Sequence, residues 1–87
     1  MLFFNKLVKS NTPVLISLRN NHKIVGRIMK YDKHFNLIVH DATIYKKMKS
    51  RNRGIKKRLE GYQCYTSLND KEMYIRGDMI IFINEIE

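Results

Sequence analysis

Two short segments of this 87-residue chain combine side chains that suit recognition of a nucleobase. The first is DKHFN, residues 32–36, and the second is RGD, residues 76–78. His34 and Arg76 each carry a flat group on which a base can stack, and Asn36 offers a donor and an acceptor for a base edge. Because Asp, Asn and Gly also build ordinary turns, a purely structural role stays open here. The candidate nucleic-acid-binding residues are Asp32, Lys33, His34, Asn36, Arg76, Gly77 and Asp78.

A strongly basic segment separates these two turns. Residues 46–58 contain eight Lys and Arg and no Asp or Glu, while the whole chain has a net charge of +9. This density suits contact with phosphates, and it equally suits a solubilising loop or a nuclear-import signal. The pattern predicts a long basic loop, bounded as 46–71, or a pair of extended strand tips. The basic residues are Lys46, Lys47, Lys49, Arg51, Arg53, Lys56, Lys57 and Arg58.

Other chemistry finds little support in the sequence. No catalytic Ser–His–Asp arrangement, phosphate-cradling glycine loop or pair of carboxylates at a plausible separation can be argued from it. Asp32 with His34 is better interpreted as a polar turn than as an acid–base pair. Cys64 is the only cysteine, which excludes a disulfide within the chain and a Cys-based zinc site. With three histidines in all, we expect no metal and no cofactor. We also expect no membrane span, no secretion and no small-molecule substrate.

The hydrophobic pattern predicts an all-β domain behind one short N-terminal helix. Leu2, Phe3, Leu7 and Val8 recur at helical spacing, and the period then changes to the alternation typical of strands. A glycine inside the second strand, Gly26, predicts strong bending or a close backbone approach, and short bent strands curl into an open barrel. We expect a helix over 1–10 and strands near 14–19, 22–31, 35–44, 72–76 and 79–84, with turns at 20–21, 32–34 and 77–78.

An open barrel leaves unpaired strand edges. Residues 79–83 (MIIFI) are five apolar residues in a row, and such an edge aggregates unless another chain covers it. We therefore expect an obligate oligomer built by edge-to-edge strand pairing.

The two segments also carry a family resemblance. Residues 14–41, with Gly26, Asp32, His34 and Asn36, resemble the first Sm motif of the Sm/LSm family, and residues 74–83 resemble the second. The resemblance implies a single Sm domain over 1–87, with motif regions at 12–45 and 72–84 and a strongly bent, five-stranded open barrel. It also implies a ring of subunits joined by the fourth and fifth strands, with RNA in its centre. A base then stacks between His34 and Arg76, Asn36 reads its edge, and Asp32 and Gly77 support the pocket.

Within the family, residues 19–21 (RNN), Lys23, residues 26–27 (GR) and the basic insert look most like the second D-type subfamily of spliceosomal Sm proteins. That likeness implies a non-enzymatic subunit of a seven-membered hetero-ring on uridine-rich snRNA, with Sm-D-one and Sm-F as neighbours. The expected compartment is the nucleus, with cytoplasmic assembly. Two alternatives stay open: an LSm-three-like subunit in RNA decay or 3′-end binding, and a protein-interaction adaptor whose turns are only turns.

Overall fold

One helix and five strands make up the residues that the computed structural model describes, which are 2–47 and 62–86. The predicted all-β class with a short N-terminal helix is thereby confirmed. No helix in these residues is long and apolar enough to cross a membrane. The elements are α1 (Leu2–Ser10), β1 (Pro13–Leu18), β2 (His22–Tyr31), β3 (Leu37–Lys47), β4 (Tyr62–Ile75), a 3₁₀ turn (Gly77–Met79) and β5 (Ile80–Glu85).

The five strands form one antiparallel sheet in the order β4-β3-β2-β1-β5. Gly26 explains where it bends. A Cβ at this position would lie 2.5 Å from Val39 Cγ1 and 3.3 Å from Ala42 Cα, so β2 and β3 approach too closely there for any side chain. The register between the two strands also shifts beside it, between Val25 and Arg27. The close approach predicted at Gly26 is therefore confirmed.

The core lies between the inner face of the bent sheet and the helix. Its fully buried members include Val14 and Ile16 from β1 and Leu37 and Val39 from β3. The helix contributes Phe4 and Leu7, which are one turn apart and face the sheet. The helical spacing groups Phe3 with Leu7, but Phe3 is 46% exposed, and Phe4 shares the buried face of the helix instead.

Three strand boundaries differ from the prediction by two residues or more. β3 begins at Leu37 and continues through Lys46 and Lys47, and β4 already begins at Tyr62, so the predicted loop 46–71 was too long at both ends. The reason is that residues 62–71 lack a buried stripe and are held by backbone pairing with β3. Lys46 and Lys47 lie in β3, as the alternative of extended strand tips predicts. The remaining basic residues, Lys49, Arg51, Arg53, Lys56, Lys57 and Arg58, lie outside the described residues.

Candidate nucleic-acid interface

The Asp32 carboxylate organises the turn between β2 and β3. Its Oδ1 accepts hydrogen bonds from the backbone N–H groups of His34 (2.8 Å) and Asn36 (3.1 Å), and its Oδ2 accepts one from Asn36 Nδ2 (3.0 Å). The backbone adds a bond from Phe35 N to Asp32 O (3.0 Å). Phe35 adopts a positive φ of 64°, which a bulky residue takes up only where its surroundings enforce it. Asp32 thus fixes the shape of a strained turn.

These hydrogen bonds lower the pKa of Asp32 below its usual value. The largest cause is the bond from the Asn36 side chain, followed by desolvation, which opposes it, and then by the backbone bonds and the neighbouring His34. Donors that point at a carboxylate stabilise its charged form. Asp32 therefore stays ionised at neutral pH and keeps the turn closed.

Asn36 joins this turn to the second one. Its Oδ1 accepts a 2.7 Å hydrogen bond from the backbone N–H of Gly77, 41 residues further along the chain. The backbones are so close that a Cβ on Gly77 would lie 2.3 Å from His34 O and 2.9 Å from Phe35 C. Only glycine fits this approach. The two segments singled out in the sequence therefore form one structure, which we call the paired-turn site (residues 32–36 and 76–78).

The second turn is held at its other side by β1. Arg19 donates from its backbone N to Met79 O (2.9 Å) and from Nε to Asp78 O (2.8 Å). Asp78 in turn pairs with Arg76, with 2.9 Å between Oδ2 and Nη2. The sequence analysis missed this supporting role of Arg19, since an arginine at the end of a strand gives no signal of a partner 59 residues away.

The site presents its ring and cationic groups to solvent. His34 and Lys33 are exposed, and the Arg76 side chain is 70% exposed. Asn36 is half-buried, and the bonds described use one of its two amide N–H groups and one of its two oxygen lone pairs. Asp32, Asn36 and Gly77 thus form the support, while His34 and Arg76 remain available to a ligand.

An apolar cleft of 360 Å³ adjoins the paired-turn site. Half-exposed aromatic rings line it from α1, from the first turn and from β5: Phe3, Phe35 and Phe82. Phe35 belongs to the first turn but was not among the predicted site residues.

One further group of polar side chains meets where β3 and β4 bulge. His40 Nδ1 lies 3.2 Å from Asp41 Oδ2, and Asp41 Oδ1 accepts a hydrogen bond from Asp70 N (2.8 Å). One potential metal-ligand atom from each of these residues lies within 4.8 Å of the others. Asp41 and Asp70 line a shallow cleft together with Arg27, which is a cation. Both aspartates have positive φ, which is consistent with a structural role in the bulges.

The sequence matches a known domain family over nearly its whole length. The LSM domain matches residues 5–85. The chain is 31% identical over 83 residues to the small nuclear ribonucleoprotein Sm D2 of Saccharomyces cerevisiae, covering 95% of this chain and 67% of that protein. It is also 31% identical over 77 residues to the probable Sm D2 of Dictyostelium discoideum, covering 87% of this chain and 66% of the relative. It therefore spans about two thirds of the length of these relatives.

Solved structures have the same fold. A heptameric archaeal Sm protein superimposes with a TM-score of 0.70 at 23% identity, with all of both chains covered. The Pyrococcus abyssii Sm protein, solved in complex with a uridine heptamer, gives 0.70 at 20% identity, covering 97% of this chain and 93% of that one. The predicted Sm fold is thereby confirmed.

Proposed function

This chain belongs to the LSM domain family, and we propose that it is a subunit of an Sm ring that binds uridine-rich single-stranded RNA. The observation that carries the proposal is the hydrogen bond from Gly77 N to Asn36 Oδ1, because it brings two nucleobase-compatible turns together. The protein does no chemistry on the RNA.

The proposed pocket works by stacking and edge recognition. The His34 imidazole and the Arg76 guanidinium stack on the base, with each stacking contact stabilising by about 1–3 kcal/mol. The remaining N–H and lone pair of Asn36 face the base edge, where uracil offers carbonyl oxygens and an N–H group. Lys33 neutralises a nearby phosphate, and Asp78 orients Arg76 through their ion pair. Asp32 and Gly77 hold Asn36 in place.

The two outer strands favour assembly through the sheet edges. Within the described residues, β4 and β5 each pair with a single strand and leave one edge open. Large apolar side chains accompany both edges, with Tyr74 61% exposed on β4 and Ile81 57% exposed on β5. We propose that β4 of one subunit pairs with β5 of the next, since this continues the sheet and covers both edges.

The finer assignment rests on the named relatives. Because the curated relatives carry the name Sm D2, we propose a subunit of the spliceosomal snRNP core acting in pre-mRNA splicing. The implied neighbours are Sm-D-one and Sm-F in a seven-membered hetero-ring, and the implied ligand is uridine-rich snRNA. The compartment is the nucleus, with assembly in the cytoplasm. The basic segment from Lys46 to residue 58 contacts phosphates or directs nuclear import.

A tagged pull-down from native extract with sequencing of the bound RNA tests this proposal. The account expects uridine-rich snRNAs together with other Sm proteins. The Arg76→Ala variant should recover the same proteins with less RNA. The control Lys71→Ala, which also removes an exposed cation, should match the wild type.

Three other results would contradict the proposal. RNAs held only by a 3′ uridine tail would indicate an LSm-type subunit in RNA decay or 3′-end binding. Protein partners without RNA would indicate an interaction adaptor whose pocket is unused. Loss of the protein partners in Arg76→Ala would place Arg76 in the subunit interface instead of the pocket.

A further inference from the structure

The end of the sheet opposite the paired-turn site carries a second concentration of cationic and aromatic side chains. We call it the arm, and define it as residues 22–24 of β2, 43–47 of β3 and 62–67 of β4. These residues include three lysines and no Asp or Glu. The acidic residues of β4 begin only at Asp70. The arm is therefore purely cationic along its described length.

Two lysines of the arm sit on tyrosine rings. Lys46 Nζ lies 3.7 Å from the centroid of the Tyr65 ring, and Lys23 Nζ lies 4.7 Å from that of Tyr62. Both distances are within the range of an attractive cation–π contact. Each contact places an ammonium group over one face of a ring and restricts the free motion of the lysine side chain.

The register of the strands puts the two pairs on opposite faces of the arm. Lys47 is opposite Tyr62 and Lys46 is opposite Gln63, so Lys46 and Tyr62 point to different sides. Tyr65 falls in a bulge, between the pairings Ile44 with Thr66 and Tyr45 with Cys64. A bulge re-aims the side chain it carries, and the Tyr65 side chain is 61% exposed.

We propose that the arm is a second RNA-binding element with one lysine–tyrosine pair on each face: Tyr62 and Tyr65 stack on bases, and Lys23 and Lys46 bind the flanking phosphates. A ring that carries an ammonium group over one face can offer its other face to a base and the nearby positive charge to a phosphate, which are the two parts of a nucleotide. An acidic peptide would need only the charge and would leave the tyrosine rings without a role. This proposal rests on the proposed function, because it assigns the arm to the same RNA.

The arm and the paired-turn site bind different parts of that RNA. They lie at opposite ends of β3, which has 11 residues and so extends over about 35 Å at roughly 3.3 Å per residue. One nucleotide cannot reach both. The arm therefore binds nucleotides that flank the bases held by the paired-turn site, and it should not contribute to the affinity for a short oligonucleotide.

Two RNA probes separate these sites in the purified assembly that contains the full chain. One is a uridine heptamer, and the other is the same heptamer with unpaired flanks on both sides. The double variant Tyr62→Leu/Tyr65→Leu should bind the flanked RNA about fivefold or more weakly than the wild type and bind the heptamer equally well. The matched control Tyr62→Phe/Tyr65→Phe keeps both rings and should behave as the wild type.

The lysines are tested by salt dependence with the same probes. Lys23→Gln/Lys46→Gln should reduce the salt slope for the flanked RNA by about 0.7 per lost phosphate contact and leave the heptamer slope unchanged. Thermal unfolding of each variant checks the fold. If a double variant unfolds, Tyr65→Leu alone replaces it, because the exposed Tyr65 ring contributes little to packing.

Three results would overturn the proposal. The first is equal binding of the flanked RNA by the leucine variant and the wild type. The second is the same weakening in the phenylalanine control. The third is a preference of the arm for poly-glutamate over the flanked RNA, with the lysine variant losing it, which would indicate a docking surface for an acidic protein. Failure of the wild type to bind the heptamer would contradict the paired-turn site, while the flanked RNA would still decide the arm.

Discussion

The paired-turn site and the arm present similar side chains but are built in different ways. In the paired-turn site, hydrogen bonds join residues 41 positions apart, and the backbones come too close for any side chain on Gly77. In the arm, lysines and tyrosines extend from the paired strands β2, β3 and β4, and their side chains take no part in the backbone hydrogen bonds of the sheet. A substitution in the support of the first site should therefore change structure and binding together, and one in the arm should change binding alone.

Gly77→Ala should have the largest effect. The new Cβ would meet the backbone of His34 and Phe35, which cannot move without opening the first turn, so we expect a loss of about 3 kcal/mol in the free energy of unfolding. Chemical denaturation of the purified assembly measures this, and Lys33→Ala in the exposed part of the same site is the control. An unfolding curve that matches the wild type would contradict the claim that the close approach leaves no room for a side chain at residue 77.

Asn36→Ala should cost less stability. It leaves the Gly77 N–H and the Asp32 Oδ2 without the partners they have 2.7 Å and 3.0 Å away, so we expect a loss of about 2 kcal/mol. Binding of a uridine heptamer should weaken as well. Asn69→Ala, an exposed asparagine on β4, is the matched control. Equal losses in the two variants would show that Asn36 is not a link between the turns.

Acid should loosen the paired-turn site before it affects the arm. The hydrogen bonds to Asp32 lower its pKa from 3.8, so its contribution to stability is complete above that pH and is lost as the pH falls through the lower value of the folded state. Asp32→Asn should therefore reduce the fall in the free energy of unfolding at low pH. Measurement at a series of pH values tests this. If the free energy of unfolding falls at low pH in Asp32→Asn as it does in the wild type, the role of the carboxylate is contradicted.

Lys47→Gln should give the smallest effect and no change in folding. Lys47 is exposed at the end of β3, so we expect the salt slope of RNA binding to fall by about 0.7 with an unchanged free energy of unfolding. Lys71→Gln on β4 is the control. An unchanged slope would favour the basic segment as an import or solubility element.

The same contrast explains what the sequence could and could not predict. The residue types of Asp32, Asn36 and Gly77 identified both turns, but their spacing in the chain contains no sign of the bond between Asn36 and Gly77. Only the family resemblance placed the turns together. Arg19 was missed for the same physical reason, since its partners are distant in sequence.

Two parts of the fold also depend on contacts that the sequence does not predict. The helix was predicted correctly, yet Phe3 and Phe4 are adjacent and apolar, and the exact rotation of the helix decides which of them is buried. The first half of β4 was missed because residues 62–71 are stabilised by pairing with β3 and lack the buried alternation that marks a strand.

Photo-crosslinking with a uridine heptamer that contains 4-thiouridine tests the central claim most directly. Mass spectrometry of the digested complex identifies the crosslinked residues in the wild type and in Asn36→Ala. We expect adducts within residues 32–36 and 76–78 of the wild type and their loss in Asn36→Ala. Adducts confined to the arm, or adducts at the turns that persist unchanged in Asn36→Ala, would contradict a base pocket formed by the paired-turn site.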